Sequence, residues 1–377
     1  MKKRVLLLGS GELGLGIALA LKRCGATVVA CDSYHGAPAM RVADISVVAD
    51  MTDDAALRTV VADAAPDIII PEVEAIAVEV LYEAENAGVS VFPSARAVAT
   101  AMHRGRLRAL VRGMGVRTSQ FAFADSELQV VRAVEAVGLP CVVKPMMSSS
   151  GRGMVVVRSA NEVVTAYRRA IAEGRTCSPQ VIVEQFVDFD AEFTLLTVRT
   201  SDGVLFCEPV AHVQERGDYR YSWQPAQLSA SVVAEARAIA ERVTAELGGY
   251  GVFGVEFFVK GDVLFFNEVA PRPHDTGMVT MVTQNVDEFE LHARIALDLS
   301  VGNVELQRRG CSAAIIAYGD GDKVEYEGVD AAEAIPGVRV ELFGKPGVHG
   351  HRRMGVVLAP DVETARRACS LIAVKVS

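Results

Sequence analysis

The sequence is poor in cysteine and in long apolar runs, and each shortage excludes a class of protein. Seven cysteines are scattered over 377 residues without a Cys-x-x-Cys pair, which argues against both a disulfide framework and a zinc site. No apolar run approaches the roughly 18 residues of a membrane span. The net charge of -9 argues against a surface that neutralises nucleic-acid phosphates. We therefore expect a cytoplasmic protein of two or three domains that acts on small molecules and binds neither nucleic acid nor membrane.

The first part of the chain alternates between short apolar strands and amphipathic helices. Arg4–Leu8 and Thr27–Cys31 are predicted strands on either side of a helix at Glu12–Arg23, and the alternation continues beyond them. Such alternation indicates βαβ units and a doubly wound parallel sheet. Two further helical patterns rich in arginine complete this α/β domain, which we place at residues 1–115.

From Val116 the pattern changes to α+β. The apolar strands Pro140–Lys144 and Val155–Val157 enclose a Ser/Gly loop and precede a helix, which is not a βαβ crossover. More strands follow in hairpin-like succession, among them Val204–Val210. The predicted boundaries are 116–305 for a second domain, with a flap subdomain at about 116–190, and 306–377 for a small β-rich C-terminal domain.

A Gly-x-Gly-x-x-Gly motif from Gly9 to Gly14 joins the first strand to the first helix, and Asp32 follows the next strand. This spacing is typical of a dinucleotide-binding turn, in which the free N–H groups of a helix N-terminus favour an anion. The negative charge of Glu12, however, lies where the pyrophosphate of a dinucleotide would bind, which argues against such a ligand. The motif alone leaves open an NAD-dependent oxidoreductase and a purely structural turn.

Lys144 ends an apolar strand and precedes a Ser/Gly-rich loop that runs to Gly153. Small residues allow backbone N–H groups to surround phosphate oxygens. The loop is not a P-loop, because the lysine comes before the glycines. Its position between two strands favours a flap over an exposed linker and would bring Lys144 beside a phosphate.

Two glutamates, Glu256 and Glu268, lie in successive apolar strands separated by a turn around Lys260–Asp262. With a three-residue loop these carboxylates face each other across the hairpin. Two like charges there are destabilising unless a cation lies between them. Mg²⁺ suits such a pair, because it prefers oxygen ligands and is completed by water and phosphates. The alternative is that one glutamate faces solvent.

Three further stretches carry polar groups suited to a ligand. Glu184–Val187 could read an adenine edge and a ribose, or be an ordinary strand end. Lys345, Arg352 and Arg353 surround a glycine-rich loop as a phosphate clamp, or form a charged surface loop. A rigid stretch around His274 should form the floor of an active site, with the histidine either a general base or a structural hydrogen-bonding group.

In this order, these features resemble the ATP-grasp superfamily. The stretches GSGELG, KPMMSSSGRG, GVEFFVKGD, NEVAPRPHDTGMVT and FGKPGVHGHRR resemble the formate-dependent phosphoribosylglycinamide formyltransferases of purine synthesis, and the resemblance runs from residue 9 to 353. It implies a Rossmann-like domain, an ATP-grasp domain and a small C-terminal domain. It also implies a homodimer that uses ATP and Mg²⁺.

The activity implied by the resemblance is phosphorylation of formate by ATP, followed by capture of formyl phosphate by the amine of glycinamide ribonucleotide. One alternative is an ATP-grasp ligase that joins another small carboxylate to a related phosphorylated ribosyl amine in specialised metabolism. A catalytically inactive ligand-sensing relative and the NAD-dependent oxidoreductase also stay open.

The resemblance assigns roles residue by residue. The ATP-contacting positions are Arg104, Lys144, the flap residues Ser149, Ser150, Gly151, Arg152, Gly153 and Met154, the segment Glu184, Gln185, Phe186 and Val187, and Glu192. The positions that hold the ribonucleotide are Glu12, Leu13, Glu72, Asp275, Lys345, Arg352 and Arg353. Glu256 and Glu268 match the Mg²⁺ ligands, and Lys144, Asp275 and Arg272 are the catalytic candidates. The asparagine usual in ATP-grasp enzymes two residues after the second glutamate is Ala270 here, so we expect no nearby amide to replace it.

The chain departs from the family pattern at several positions. Those outside the assigned sets are Leu15, Gly16, His103, Gly105, Val213, Arg216 and Tyr221, and two more, Arg152 and Met154, belong to the ATP-contacting flap. The segment around Tyr221 is expected to approach the active site. The departures therefore leave open whether the acid is formate and the amine is glycinamide ribonucleotide.

Overall fold

The computed structural model describes residues 2–73, 75–147, 151–174, 178–215 and 217–377. The N-terminal part comprises β1 (Arg4–Leu8), α1 (Glu12–Arg23), β2 (Thr27–Asp32), β3 (Ile45–Val48), α2 (Asp54–Ala64), β4 (Ile68–Pro71), α3 (Val78–Asn86), β5 (Ser90–Val91), α4 (Ala95–Ala101) and α5 (Arg104–Gly113). Its five strands form a parallel sheet in the order β3-β2-β1-β4-β5. The doubly wound architecture predicted from the alternation is therefore confirmed.

The central strand β1 shows why this sheet forms. Val5, Leu6, Leu7 and Leu8 are all fully buried, as expected for a parallel strand covered by helices on both faces. Successive side chains point to opposite faces, so Val5 and Leu7 pack in the cluster that contains α1, whereas Leu6 and Leu8 pack in the cluster that contains α2 and α3.

The middle of the chain builds a small antiparallel sheet and most of a large one. Its elements are β6 (Phe121–Ala124), α6 (Glu127–Val137), β7 (Cys141–Pro145), β8 (Val155–Val157), α7 (Val163–Glu173), β9 (Val181–Gln185), β10 (Ala191–Thr200), β11 (Gly203–Phe206), β12 (Val210–Glu215), β13 (Asp218–Gln224), α8 (Ala230–Leu247), β14 (Gly251–Lys260), β15 (Val263–Ala270), α9 (Thr280–Thr283) and α10 (Glu288–Ala296). The small sheet has the order β6-β9-β7-β8, and β7 pairs antiparallel with β8 as the strand–loop–strand pattern indicates.

The C-terminal part adds β16 (Gly310–Gly321), β17 (Val324–Glu327), α11 (Val329–Glu333), β18 (Arg339–Leu342), β19 (Val348–Ala359), α12 (Val362–Leu371) and β20 (Ala373–Val376). Strand β16 pairs with β13, so the C-terminal strands continue the large sheet in the order β15-β14-β10-β12-β13-β16-β19-β18. This continuity brings the loop before β19 to the same cleft as the N-terminal helix α1.

The strand predicted at Val204–Val210 is wrong as a single element. It consists of β11 and the start of β12, which both pair with β10 and are interrupted between Cys207 and Pro209. Proline has no N–H to donate to the ladder, so an uninterrupted strand is disfavoured there. Within the described residues, no helix is long and apolar enough to cross a bilayer.

Candidate active site

A cleft of about 460 Å³ collects most of the predicted site residues from all three parts of the chain. The predicted residues that line it are Glu12, Leu13, Glu72, Arg104, Lys144, Gly151, Met154, Glu192, Glu256, Glu268, Arg272, Asp275, Lys345, Arg352 and Arg353. It lies beyond the carboxyl ends of β1, β2 and β4, where open α/β sheets usually bind their ligands. Arg152, Gly153 and Glu184–Val187 do not line this cleft, and Ser149 and Ser150 lie outside the described residues.

The two predicted metal ligands face each other in the hairpin of β14 and β15. Glu256 and Glu268 are direct cross-strand partners, as expected. The predicted three-residue loop is wrong, because Lys260 pairs with Val263 across a two-residue turn. A bulge after Glu256 places Asn267 as an extra residue and shifts the partner of Glu256 from position 267 to position 268.

The carboxylate of Glu256 is held by two polar side chains. It accepts a hydrogen bond from Asn267 Nδ2 at 3.0 Å and lies 3.2 Å from His274 Nε2. Burial opposes its ionisation, but contacts with His274, the charge of His212 and the Asn267 amide lower the pKa of Glu256 to about 2. The expectation that no amide lies nearby is therefore wrong, since the bulge brings the side chain of Asn267 to this position.

The donor chemistry of this pair suits Mg²⁺. Two carboxylates on adjacent strands offer the hard oxygen ligands that the ion prefers. The described residues contain no group of three or more His, Cys, Asp or Glu side chains that could hold a metal by themselves. The chain would therefore hold Mg²⁺ through Glu256 and Glu268 only together with water or phosphate oxygens.

His274 contacts neighbours through both ring nitrogens. Nε2 faces Glu256, and Nδ1 lies 2.9 Å from Thr276 Oγ1. A histidine committed on both sides is better suited to orient Glu256 than to accept a proton from a substrate. We therefore favour the structural interpretation of His274.

The predicted phosphate clamp forms a buried network with two carboxylates. Lys345 Nζ lies 2.6 Å from Glu12 Oε2, and Arg353 Nη2 lies 2.8 Å from Asp275 Oδ2 and 3.4 Å from Glu12 Oε1. Burial opposes ionisation of Glu12, but Lys345 and Arg353 hold its pKa below the ordinary value. Among the described atoms, Arg353 Nη1 is buried without a hydrogen-bond acceptor. The network therefore presents a donor suited to an anionic ligand.

Arg352 is oriented by a tyrosine that the sequence did not single out. Its guanidinium donates to Gly347 O and to Tyr34 Oη, both at 2.8 Å, and lies over the Tyr34 ring with Cζ 5.2 Å from the centroid. Tyr34 follows β2, far from Arg352 in sequence. The one sequence signal that could have placed Tyr34 in the cleft is its position just after β2, the strand that ends at Asp32.

Glu72 lies in the cleft wall directly beneath the glycine turn. A Cβ on Gly9 would lie 2.4 Å from Glu72 Oε2, and Gly9 has a φ of 113°, so a side chain at this position is excluded on both grounds. Burial and the neighbouring carboxylates Glu12 and Asp275 raise the pKa of Glu72 to about 8, against the opposing charge of Arg272.

The protonation of Glu72 makes stability depend on pH. The pKa of Glu72 is higher in the folded state than in the unfolded state. Its contribution to the free energy of unfolding is therefore complete at low pH and is lost as the pH rises from about 4.5 through about 8. Glu72→Gln keeps the neutral shape at every pH. We expect its Tm to match wild type near pH 5 and to exceed it increasingly towards pH 9, as measured by calorimetry. The exposed Glu79→Gln serves as the control, and an unchanged Tm difference across this range would contradict the assignment.

Glu184 is enclosed by cations and lies away from the open cleft. Its carboxylate lies 2.5 Å from both Arg108 Nε and Lys144 Nζ, and the side chain is buried. Burial alone would raise its pKa, but Arg108 and Lys144 lower the pKa of Glu184 well below the ordinary range. In this arrangement Glu184 positions Lys144, and its assignment to ATP stays a prediction.

Removal of this carboxylate should strongly destabilise the protein. Glu184→Ala leaves Arg108 and Lys144 without their shared counter-ion in a largely buried environment. Breaking a buried ion pair in this way costs about 3–5 kcal/mol. Urea unfolding should show that loss, whereas Glu246→Ala, which breaks the exposed pair with Arg96, should cost at most about 1 kcal/mol. Equal losses in the two variants would contradict the structural role of Glu184.

The departures from the family pattern that the structure describes lie outside the cleft lining, except Met154. In β13, Tyr219 lines the cleft, whereas Tyr221 and Trp223 belong to the cluster of the C-terminal part. Gly16 lies beneath the ring of Phe289, where a Cβ would approach to 2.7 Å, so its role is to pack α1 against α10. Arg216 lies outside the described residues.

Comparison with known proteins agrees with this architecture. Family models match a ribonucleotide synthetase preATP-grasp domain at residues 1–102, an ATP-grasp domain at 109–289 and the domain described as PurT, C-terminal, at 310–376. The three-part fold is therefore that of an ATP-grasp enzyme, as the sequence predicts.

The curated relatives narrow the family. The chain is 50% identical to the formate-dependent phosphoribosylglycinamide formyltransferase of Oleidesulfovibrio alaskensis, over 98% of this chain and 95% of that protein. It is 49% identical to the enzyme of the same name from Vibrio vulnificus, over 96% and 93%. The chain belongs to the formate-dependent phosphoribosylglycinamide formyltransferase family, which confirms the resemblance found in the sequence.

Solved structures are similar along the whole chain. The glycinamide-RNase-transformylase T of Mycobacterium tuberculosis is 33% identical, with a TM-score of 0.79 and 98% of both chains covered. The N5-carboxyaminoimidazole ribonucleotide synthetase of Thermus thermophilus is 28% identical, with a TM-score of 0.84 and 97% and 96% covered. The fold is thus shared with ATP-grasp enzymes of different named activities, so the choice of substrates depends on the cleft itself.

Proposed function

We propose that this enzyme transfers a formyl group from formate to the amine of glycinamide ribonucleotide, at the expense of ATP. A formate oxygen attacks the γ-phosphorus, the bond to the β–γ bridging oxygen breaks, and ADP leaves. The substrate amine then attacks the formyl carbon, phosphate departs with the bonding electrons, and the proton lost from nitrogen is taken up by that phosphate. Solvent must be excluded in between, because formyl phosphate hydrolyses readily.

The observation that carries this proposal is the buried network of Glu12, Lys345, Arg353 and Asp275. Arg353 Nη1, which has no acceptor among the described residues, and the oriented Arg352 suit the phosphate of a ribonucleotide. Glu12 occupies the N-terminus of α1, where an NAD pyrophosphate would need to lie, so the glycine motif serves the amine substrate.

The opposite wall of the cleft suits ATP. Lys144 is the penultimate residue of β7, and Glu192 lies on β10, the strand that pairs with β14. When bound between Glu256 and Glu268, Mg²⁺ would neutralise phosphate charge. Lys144, oriented by Glu184, would stabilise the negative charge that develops during phosphoryl transfer.

The residues that line the cleft support the identity of both substrates, because most of them match the family pattern. Apart from Met154, the described departures from the family pattern do not line it. An altered acid or amine would be expected to come with altered lining residues, which favours formate and glycinamide ribonucleotide over a substituted pair. From the resemblance to the family, we also propose a cytoplasmic homodimer with domains at 1–115, 116–305 and 306–377.

A coupled ADP-release assay tests this function. With ATP and Mg²⁺ present, ADP should be released when formate and glycinamide ribonucleotide are both added. ADP release should be much slower when either substrate is replaced by another member of a panel of small carboxylates and amine ribonucleotides. Faster turnover with another acid–amine pair would replace the proposed substrates while retaining the ATP-grasp chemistry.

A further inference from the structure

A small recess of about 30 Å³ adjoins the main cleft at Glu268, one of the two predicted metal ligands. Four residues line both spaces, Val73, Arg104, Glu268 and Arg272. The remaining wall of the recess is entirely apolar or backbone in character and consists of Pro71, Val98, Ala101, Met102, Val269, Ala270 and Pro271. The recess is therefore a mainly apolar side chamber whose entrance carries the guanidinium groups of Arg104 and Arg272 and the exposed carboxylate of Glu268.

The two arginines are held in place by the backbone. Arg104 Nη1 donates to Pro145 O, and Arg272 Nη1 donates to Pro273 O, both at 3.0 Å. Guanidinium groups match the two oxygens of a carboxylate, because their N–H donors form a planar fork that can bind both oxygens at once. The entrance of the recess is thus suited to a small carboxylate rather than to a phosphate ester with a bulky substituent.

The size of the recess limits what can enter it. One water needs about 10–15 Å³ of such space, so about 30 Å³ accepts roughly two water-sized atoms. Formate can present its oxygens to Arg104 and Arg272 and its C–H to the apolar wall. A longer acid must place at least one methyl group against Ala101, Met102 and Ala270.

We propose that this recess is the formate subsite, with Arg104 and Arg272 binding the carboxylate and the apolar wall selecting against larger acids. The inference depends on the proposed function, since it places the acid beside Glu268 and hence beside the transferred phosphoryl group. It gives Arg272 a specific role in acid binding and gives Ala270 the role of leaving room for the acid.

Two substitutions that change the recess in opposite directions test the proposal. Ala270→Val fills it and should raise the KM for formate about tenfold or more, with the KM values for ATP and glycinamide ribonucleotide within twofold of wild type. Met102→Ala enlarges it and should shift selectivity towards acetate about tenfold, the effect of accommodating one methyl group. Met114→Ala removes an equally half-buried methionine outside the recess and should leave selectivity unchanged.

Arg272→Lys provides a test of the charged entrance. It keeps the charge but loses the paired N–H groups, so the KM for formate should rise about tenfold, with little change in the KM for ATP. If the wild-type enzyme shows no formate-dependent ADP release, the proposed function fails. If wild type turns over formate but the KM for formate and the selectivity are unchanged in Ala270→Val and Met102→Ala, the recess is a packing gap and the subsite is wrong.

Discussion

Glu268→Gln is expected to abolish turnover, with Glu256→Gln nearly as severe. The two carboxylates face each other in the β14–β15 hairpin, and the described residues offer no third acidic or histidine ligand to complete a metal site. Glutamine keeps the shape and removes the charge that Mg²⁺ requires. Loss of one preorganised electrostatic contact typically lowers kcat by about 10²–10³-fold, and we expect at least this decrease in steady-state ADP release.

The controls separate metal binding from folding. Glu325→Gln changes an exposed strand glutamate and should leave the rate of ADP release unchanged in the same assay. Thermal unfolding in the absence of nucleotide should show that Glu268→Gln remains folded, while added Mg²⁺ and ATP should stabilise it less than they stabilise wild type. Near-normal activity of either variant at saturating Mg²⁺ would contradict the assignment of Glu256 and Glu268 as Mg²⁺ ligands.

The parts of the fold that were predictable are those with strong local patterns. Strand β1 is buried on both faces and α1 has one apolar side, so the bounds Arg4–Leu8 and Glu12–Arg23 match the prediction. Strand β3 was missed because three of its four residues are exposed, and an edge strand of this kind has no apolar alternation. The error at Val204–Val210 arose because the apolar run that ends at Cys207 resumes at Val210, although the strand is broken around Glu208 and Pro209.

The candidate site was predictable as a set of residues but not as a set of contacts. The facing of Glu256 and Glu268 was predicted, yet its cause is the bulge at Asn267, which no periodicity indicates. The enclosure of Glu184 depends on Arg108, which lies 76 residues away in the chain. Contacts of this kind depend on tertiary packing, so a local sequence pattern can identify Glu184 without identifying its partner.

Arg353→Ala should raise the KM for the amine substrate strongly while changing the KM for ATP little. Arg353 pairs with Asp275 and Glu12, and its Nη1 is the buried donor proposed for the substrate phosphate. Loss of one charge-assisted contact is worth about 1.5–3 kcal/mol, or roughly tenfold to a hundredfold in affinity. Lys345→Ala should act in the same direction, because it removes the other cation bound to Glu12.

Two companion variants make the outcome specific. Arg353→Lys retains the charge but not the planar fork, so its KM for the amine should lie between those of wild type and Arg353→Ala. Arg366→Ala removes an exposed arginine of α12 and should change neither KM. Steady-state kinetics with each substrate varied in turn measure these values. A rise in the KM for ATP in place of that for the amine would assign the clamp to the nucleotide, because the phosphate held beside Glu12 and Asp275 would then be that of ATP.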